Sequence, residues 1–165
     1  MTESRPKETL VHVADWAAER GDHVLVTLGL GSCVAIMLHD PSSGAGAMAH
    51  VLLPSRSLAR DATNPAKFPE TAIPFLVERL RALGVDQRRL VAKLAGGASM
   101  FAQLMTPGSV QMGERNLVAT RAALRAAAIP LTAEAVGGTA GRSVRFYVQD
   151  GRVEIRAVGS DERRI

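Results

Sequence analysis

Cysteine is nearly absent from this chain: Cys33 is the one thiol in 165 residues. A lone thiol makes no internal disulfide and no cysteine-rich zinc site, so the fold must be held by packing. Aromatic residues are almost as scarce, with one Trp, one Tyr and four Phe, which leaves few surfaces on which nucleic-acid bases could stack. The net charge of +4 comes from arginines scattered over Arg79, Arg81, Arg88, Arg89, Arg115, Arg121, Arg125 and Arg142. Such scatter reads as a solvated basic surface, and no nucleic-acid partner is expected. No apolar run reaches membrane-spanning length, and residues 1–7 are polar with no signal-peptide core. A soluble, cytoplasmic protein without membrane insertion is therefore expected. His12, His23 and His39 share no metal-ligand spacing, so no metal is expected. Gly29-Leu30-Gly31-Ser32 lacks the further glycines and the lysine of a nucleotide loop, and no cofactor is implied.

What is present is globular. Hydrophobic residues make up 47% of the chain and charged residues 22%, which excludes wholesale disorder. The length suits one domain over residues 1–165, with residues 1–8 expected to be disordered.

Residues 24–28 and 34–38 are short β-branched runs joined by the glycine-rich segment, and they predict two strands with a tight connection. Asp40-Pro41-Ser42-Ser43-Gly44 is a turn signal, so residues 46–53 should return antiparallel to the Cys33 strand until Pro54 stops them. Residues 55–64 are polar and aperiodic and read as a mobile loop near His50. Ile73, Leu76, Val77, Leu80 and Leu83 follow helical spacing and predict a helix over 70–83, in which Pro74 is tolerable only near the first turn and which Gly84 closes. Residues 90–94 predict a strand, followed by a loop through Gly96-Gly97-Ala98. Residues 113–128 predict a second helix stopped by Pro130. Residues 131–136, 143–148 and 153–158 predict strands, the last two a hairpin over Gln149-Asp150-Gly151. The element order, with several hairpins and no steady βα alternation, favours an α+β class: a layered sandwich of mostly antiparallel or mixed sheet with two main helices.

An isolated cysteine is read in two ways, as a small buried apolar residue or as a nucleophile. Three features speak for the nucleophile. The glycines before Cys33 let the backbone turn and leave the Ser32 and Cys33 N–H groups free for an oxyanion. The expected hairpin returns His50 toward Cys33. Thr27, on the preceding strand, is placed to hold an imidazole. A neighbouring histidine raises the thiolate fraction of a thiol, so Cys33 and His50 form a candidate pair, while sequence spacing alone leaves the buried-cysteine reading open. Ser32 has no nucleophile-elbow pattern around it.

The segments Val26-Thr27-Leu28-Gly29-Leu30-Gly31-Ser32-Cys33-Val34-Ala35, Asp40-Pro41 and Met48-Ala49-His50-Val51-Leu52-Leu53-Pro54 resemble the signature of the CheD family of chemoreceptor glutamine deamidases. The likeness continues through Ala72-Ile73-Pro74, Lys93-Leu94-Ala95-Gly96-Gly97-Ala98 with Met100-Phe101, Gly113-Glu114-Arg115-Asn116, and Gly137-Gly138 with Gly141-Arg142, over residues 11–158. It implies the cysteine deamidase fold of the cytotoxic-necrotising-factor type and a protein-glutamine glutaminase. Cys33 is then the nucleophile, His50 the general base and acid, and Thr27 the residue that orients the histidine. Ser32 and Cys33 supply the backbone oxyanion site, and Gly31, Gly96, Gly97 and Phe101 are candidates for contacting substrate. The implied substrates are methyl-accepting chemotaxis receptors, with the CheC phosphatase as a second partner. Receptor methyl-ester hydrolysis and a non-catalytic adaptor role are the alternatives. In one place the chain departs from the family pattern: Ala135 stands where an acidic residue is usual, with Glu134 one position earlier.

Overall fold

The computed structural model describes residues 4–100 and 111–165. Its centre is set by two strands, β4 (Val34–Asp40) and β5 (Ala45–Val51), in which every residue is buried. Burial on both faces explains why these segments read as continuous apolar runs with no alternation. They pair antiparallel, with Ala35 opposite His50 and Met37 opposite Met48. Around them one five-stranded sheet runs in the order β2 (Trp16–Arg20), β5, β4, β6 (Val91–Gly96) and β7 (Leu131–Val136). A second sheet runs β1 (Lys7–Leu10), β3 (His23–Leu30), β8 (Arg142–Tyr147), β9 (Val153–Ala157) and β10 (Arg163–Arg164). The β1–β3 and β6–β7 pairs are parallel, and the others are antiparallel.

Strand alternation sorts the central side chains into two layers. Val34, Ile36, Leu38, Ala47, Ala49 and Val51 face helices α1 (Pro69–Ala82) and α2 (Met112–Ala126), packing against Ile73, Leu76, Leu80, Leu117 and Leu124. Ala35, Met37 and Met48 face the other sheet and meet Leu25, Leu30, Val144 and Phe146. Each large buried aliphatic side chain stabilises this arrangement by roughly 1.5–3 kcal/mol relative to exposure. Gly46 has a packing reason to be glycine: a Cβ there would lie 2.8 Å from the Phe146 ring. The expected layered α+β sandwich is thus present, with helices, sheet and second sheet in that order.

Several boundaries differ from expectation. Lys7 and Glu8 are strand residues paired with His23 and Val24, so the expected disorder of residues 1–8 does not extend to them. Strands β1 and β2 were illegible because they are short and mostly polar or half-buried. Gly29 and Leu30 belong to β3, while Val34 opens β4 in the other sheet, so the crossing of the sandwich is made by Gly31-Ser32-Cys33. Helix α1 begins at Pro69, which puts Pro74 beyond the first turn, at an exposed position of the helix. Within residues 55–64, Arg56–Leu58 form a single 3-10 turn capped by Ser55, and the Asn64 side chain donates to the Ala14 carbonyl at 2.8 Å.

Candidate active site

His50 lies near the end of β5, and alternation turns it away from the helices toward the facing sheet. Thr27 sits inward on β3, next along that face from Leu25. The two polar side chains meet across the gap between sheets and are 1% and 0% exposed. Thr27 Oγ1 lies 2.6 Å from the Val11 carbonyl oxygen, which can only accept, so the single hydroxyl proton goes there. Thr27 must then accept from His50 Nδ1, 2.7 Å away. This network assigns the imidazole proton to Nδ1 and leaves Nε2 with a bare lone pair. Nε2 is buried and has no hydrogen-bond partner among the described residues. A buried acceptor left unpaired costs stability, and such a group calls for a chemical role.

The His50 backbone is tied to the β1–β2 connection as well. Its N–H donates to Asp15 O at 3.1 Å and its carbonyl accepts from Ala14 N–H at 2.8 Å. Val11 through Asp15, which carried no motif, thus frame the imidazole from the far side of Thr27.

Cys33 precedes β4 by one residue and is half-buried. Because Ala35 pairs with His50, Cys33 is the diagonal neighbour of His50 on the same sheet face. Diagonal cross-strand neighbours lie about 7–8 Å apart between Cα atoms, within reach of longer side chains. Cys33 packs against the inter-sheet core, on the side where Thr27 and His50 meet. The thiol, imidazole and hydroxyl expected from the sequence are therefore gathered at one end of the inter-sheet layer, although sulfur and Nε2 are not hydrogen-bonded.

The segment after β6 clasps the cysteine loop. Gly97 N–H donates to the Cys33 carbonyl at 2.8 Å, and Ala98 N–H to the Gly31 carbonyl at 2.9 Å. Gly96 and Gly97, considered above for substrate contact, are here backbone partners of Cys33. A Cβ on Gly31 would meet Met100 Sδ at 2.9 Å. Phe101 lies outside the described residues. Arg142 holds the clasp from behind, with Nη1 donating to the carbonyls of Gly96 (3.0 Å) and Ala135 (2.7 Å) and Nη2 to that of Gly137. Asn116, on the buried face of α2, donates from Nδ2 to the carbonyls of Ser32 (2.9 Å) and Leu52 (3.2 Å). The sequence carried a faint signal for it: Asn116 and Thr120 are polar residues one turn apart in a stripe with Leu117 and Leu124. At the position that departs from the family pattern, Ala135 faces the inter-sheet core, while Glu134 forms a two-oxygen pair with Arg121 of α2 at 3.0 Å. Beside Ser32 opens a cavity of about 250 Å³ lined by Ala98, Ser99, Met100, Gln111, Met112 and Gly113.

Burial dominates the electrostatics. It pushes the Cys33 thiol above its ordinary range, against a smaller opposing pull from its own N–H. It pushes the His50 imidazolium below its ordinary range, with nearby His12 adding to the effect and the Val11 carbonyl opposing it. At rest the pair is a neutral thiol and a neutral imidazole, whereas the sequence had suggested a thiolate supported by histidine. The sign for each group is definite. Lowering pH protonates His50 only below the usual imidazole midpoint near about 6.5, and raising pH ionises Cys33 only above the usual thiol midpoint near about 8.5. Alkylation of Cys33 by iodoacetamide should therefore still be accelerating at pH ~9. A plateau reached at mildly acidic pH would instead mean a resting thiolate–imidazolium pair.

Taken by architecture, the molecule falls among layered α+β sandwiches with a thiol and an imidazole at one end of the inter-sheet layer. The crystal structure of the Neisseria meningitidis protein NMB0706, of the DUF152 family, shares this fold, with a TM-score of 0.51 at 13% identity over 88% of this chain and 71% of that one. The particular family follows from sequence: residues 52–157 match the CheD family, described as CheD chemotactic sensory transduction, and this chain belongs to it. That match begins beyond both Cys33 and His50 and takes in Gly96, Gly97, Asn116 and Arg142. Whole-chain relatives agree. A Thermotoga maritima protein named chemoreceptor glutamine deamidase CheD is 40% identical, covering 93% of this chain and 94% of its own length. Proteins named probable chemoreceptor glutamine deamidase CheD from Moorella thermoacetica and Caldanaerobacter subterraneus subsp. tengcongensis are 43% and 39% identical, covering 94% and 90% of this chain and 93% and 92% of their own lengths.

Proposed function

We propose that this protein deamidates glutamine side chains of chemoreceptors in the cytoplasm through a Cys33 thioester. The names of its relatives support the substrate, and one observation supports the chemistry: the chain from His50 Nδ1–H to Thr27 to the Val11 carbonyl, which leaves Nε2 with its lone pair free to act as a base. Nε2 takes the thiol proton as sulfur attacks the amide carbon, and the developing oxyanion is met by the Ser32 and Cys33 N–H groups. The tetrahedral adduct collapses as the imidazolium gives its proton to the departing ammonia. Water, deprotonated by the same Nε2, then attacks the thioester, and glutamate and the free thiol result.

The depressed imidazolium suits this order of events. Ammonia leaves a primary amide reluctantly, and a cation destabilised by burial, with only a neutral hydroxyl as its partner, is a stronger proton donor than a carboxylate-paired one. The small cavity beside Ser32, with Met100 and Met112 in its walls, is suited to an aliphatic side chain neighbouring the target glutamine.

The deciding experiment incubates the protein with a receptor cytoplasmic fragment and follows both ammonia release and the mass gain of an amide becoming an acid. Stoichiometric release with the mass gain supports the reading. A stable complex whose receptor mass never changes would replace it with the adaptor role, and methanol release from a methylated fragment, without ammonia from an amidated one, with the ester hydrolase.

A further inference from the structure

Three successive carbonyls of the cysteine loop are captured, each by a different group: Gly31 by Ala98 N–H, Ser32 by Asn116 Nδ2 and Cys33 by Gly97 N–H. In a planar trans peptide the C=O and N–H point in opposite directions. Each captured carbonyl therefore turns the following N–H the other way. The N–H groups of Ser32 and Cys33 donate to no oxygen or nitrogen acceptor among the described residues. Two of the three captures are made by backbone N–H groups, which truncating a side chain does not remove. The one acting on the Ser32–Cys33 peptide, whose N–H belongs to the nucleophile, is a side chain.

We infer that Asn116 is a positioning residue for catalysis: by holding the Ser32 carbonyl toward helix α2, it keeps the Cys33 N–H aimed at the place where the oxyanion forms. The inference rests on the deamidase reading above and adds a residue to it. The geometry gives Asn116 a second task. Its Nδ2 has two protons, and the other goes to Leu52 O, two residues past His50. One fully buried amide thus ties the nucleophile loop and the exit of the histidine strand to the same helix. Thr120, one turn further along, donates to the Asn116 carbonyl at 2.7 Å. Asn116 touches no reacting atom, so its influence must pass through the peptide it holds.

The prediction separates two reactions of the same sulfur. Alkylation by iodoacetamide is a displacement at carbon that develops no oxyanion, whereas deamidation passes through one. Asn116→Ala and the smaller polar Asn116→Ser, which admits water to the two carbonyls, are compared with wild type by thermal melting, Cys33 alkylation rate, and kcat and KM for a receptor glutamine. The expected result is a kcat lowered by about 10²–10³, the range for losing one oxyanion donor, with KM and alkylation near wild type in whichever variant folds. If kcat is unchanged, or alkylation and deamidation fall together, the inference is overturned, because Asn116 would then be idle or would merely place the thiol. Failure of both variants to melt cooperatively would overturn it too, by making Asn116 a folding residue. A wild-type protein inert toward the glutamine would instead overturn the deamidase reading itself.

Discussion

Replacing Cys33 by alanine is expected to lower deamidation by at least about a thousandfold, to the level left by binding and the backbone N–H groups alone. Alanine removes the sulfur without enlarging the side chain, and Cys33 packs only against the rim of the inter-sheet core, so the melting temperature should barely move. His50→Gln should cost a similar factor, because a glutamine can neither take the thiol proton nor return it to ammonia. The double variant should be little worse than either single one, since the two groups act in one step and such losses do not add. Ammonia release from a receptor fragment, measured beside circular-dichroism melting, checks all three. Substantial activity in the Cys33→Ala protein would remove sulfur from the mechanism. Additive losses in the double variant would separate the roles of sulfur and imidazole.

The second large effect is expected where no functional group is involved. Gly96 has a φ of +105°, and a Cβ there would sit 2.2 Å from the Cys33 carbonyl oxygen, an atom that cannot move without moving Cys33. Gly96→Ala should therefore cost roughly 3–5 kcal/mol, from left-handed strain together with an unrelieved clash. For a chain of this size that corresponds to a fall in melting temperature on the order of 10 °C. Gly137→Ala isolates the two contributions, because Gly137 has a φ of +77° with nothing near its would-be Cβ. It should show the strain alone, about 1–2 kcal/mol. If the two variants melt alike, the close approach of Gly96 to Cys33 carries no energetic weight. If Gly96→Ala keeps full deamidase activity, the clasp does not hold the thiol in place.

Much of the site was legible because its signals are local. Cys33 is the one thiol, glycines precede it, and the Asp40-Pro41-Ser42-Ser43-Gly44 turn fixes a hairpin whose register makes His50 a diagonal neighbour of Cys33. Turn chemistry and strand periodicity are short-range properties, and they carried the reading as far as the antiparallel pair. Thr27 entered as a candidate for the same reason, yet its placement is not local. It lies on the other sheet and reaches His50 only because Gly31-Ser32-Cys33, between β3 and β4, crosses the sandwich.

The sequence by itself determined the composition of the core, the two helices, the strands around Cys33, and Cys33, His50 and Thr27 as candidate site residues. It also carried the family resemblance that the whole-chain relatives bear out. Tertiary structure alone decided three things. It fixed the imidazole tautomer, because a carbonyl from the β1–β2 connection claims the Thr27 proton. It shifted both groups toward their neutral forms, because burial pushes the thiol up and burial, aided by His12, pushes the imidazolium down. It gave Asn116, Gly96 and Arg142 their parts, because each acts on backbone carbonyls contributed by segments far away in the chain. Side-chain chemistry is written one residue at a time, whereas the direction of a carbonyl and the dielectric around a thiol belong to the packed whole.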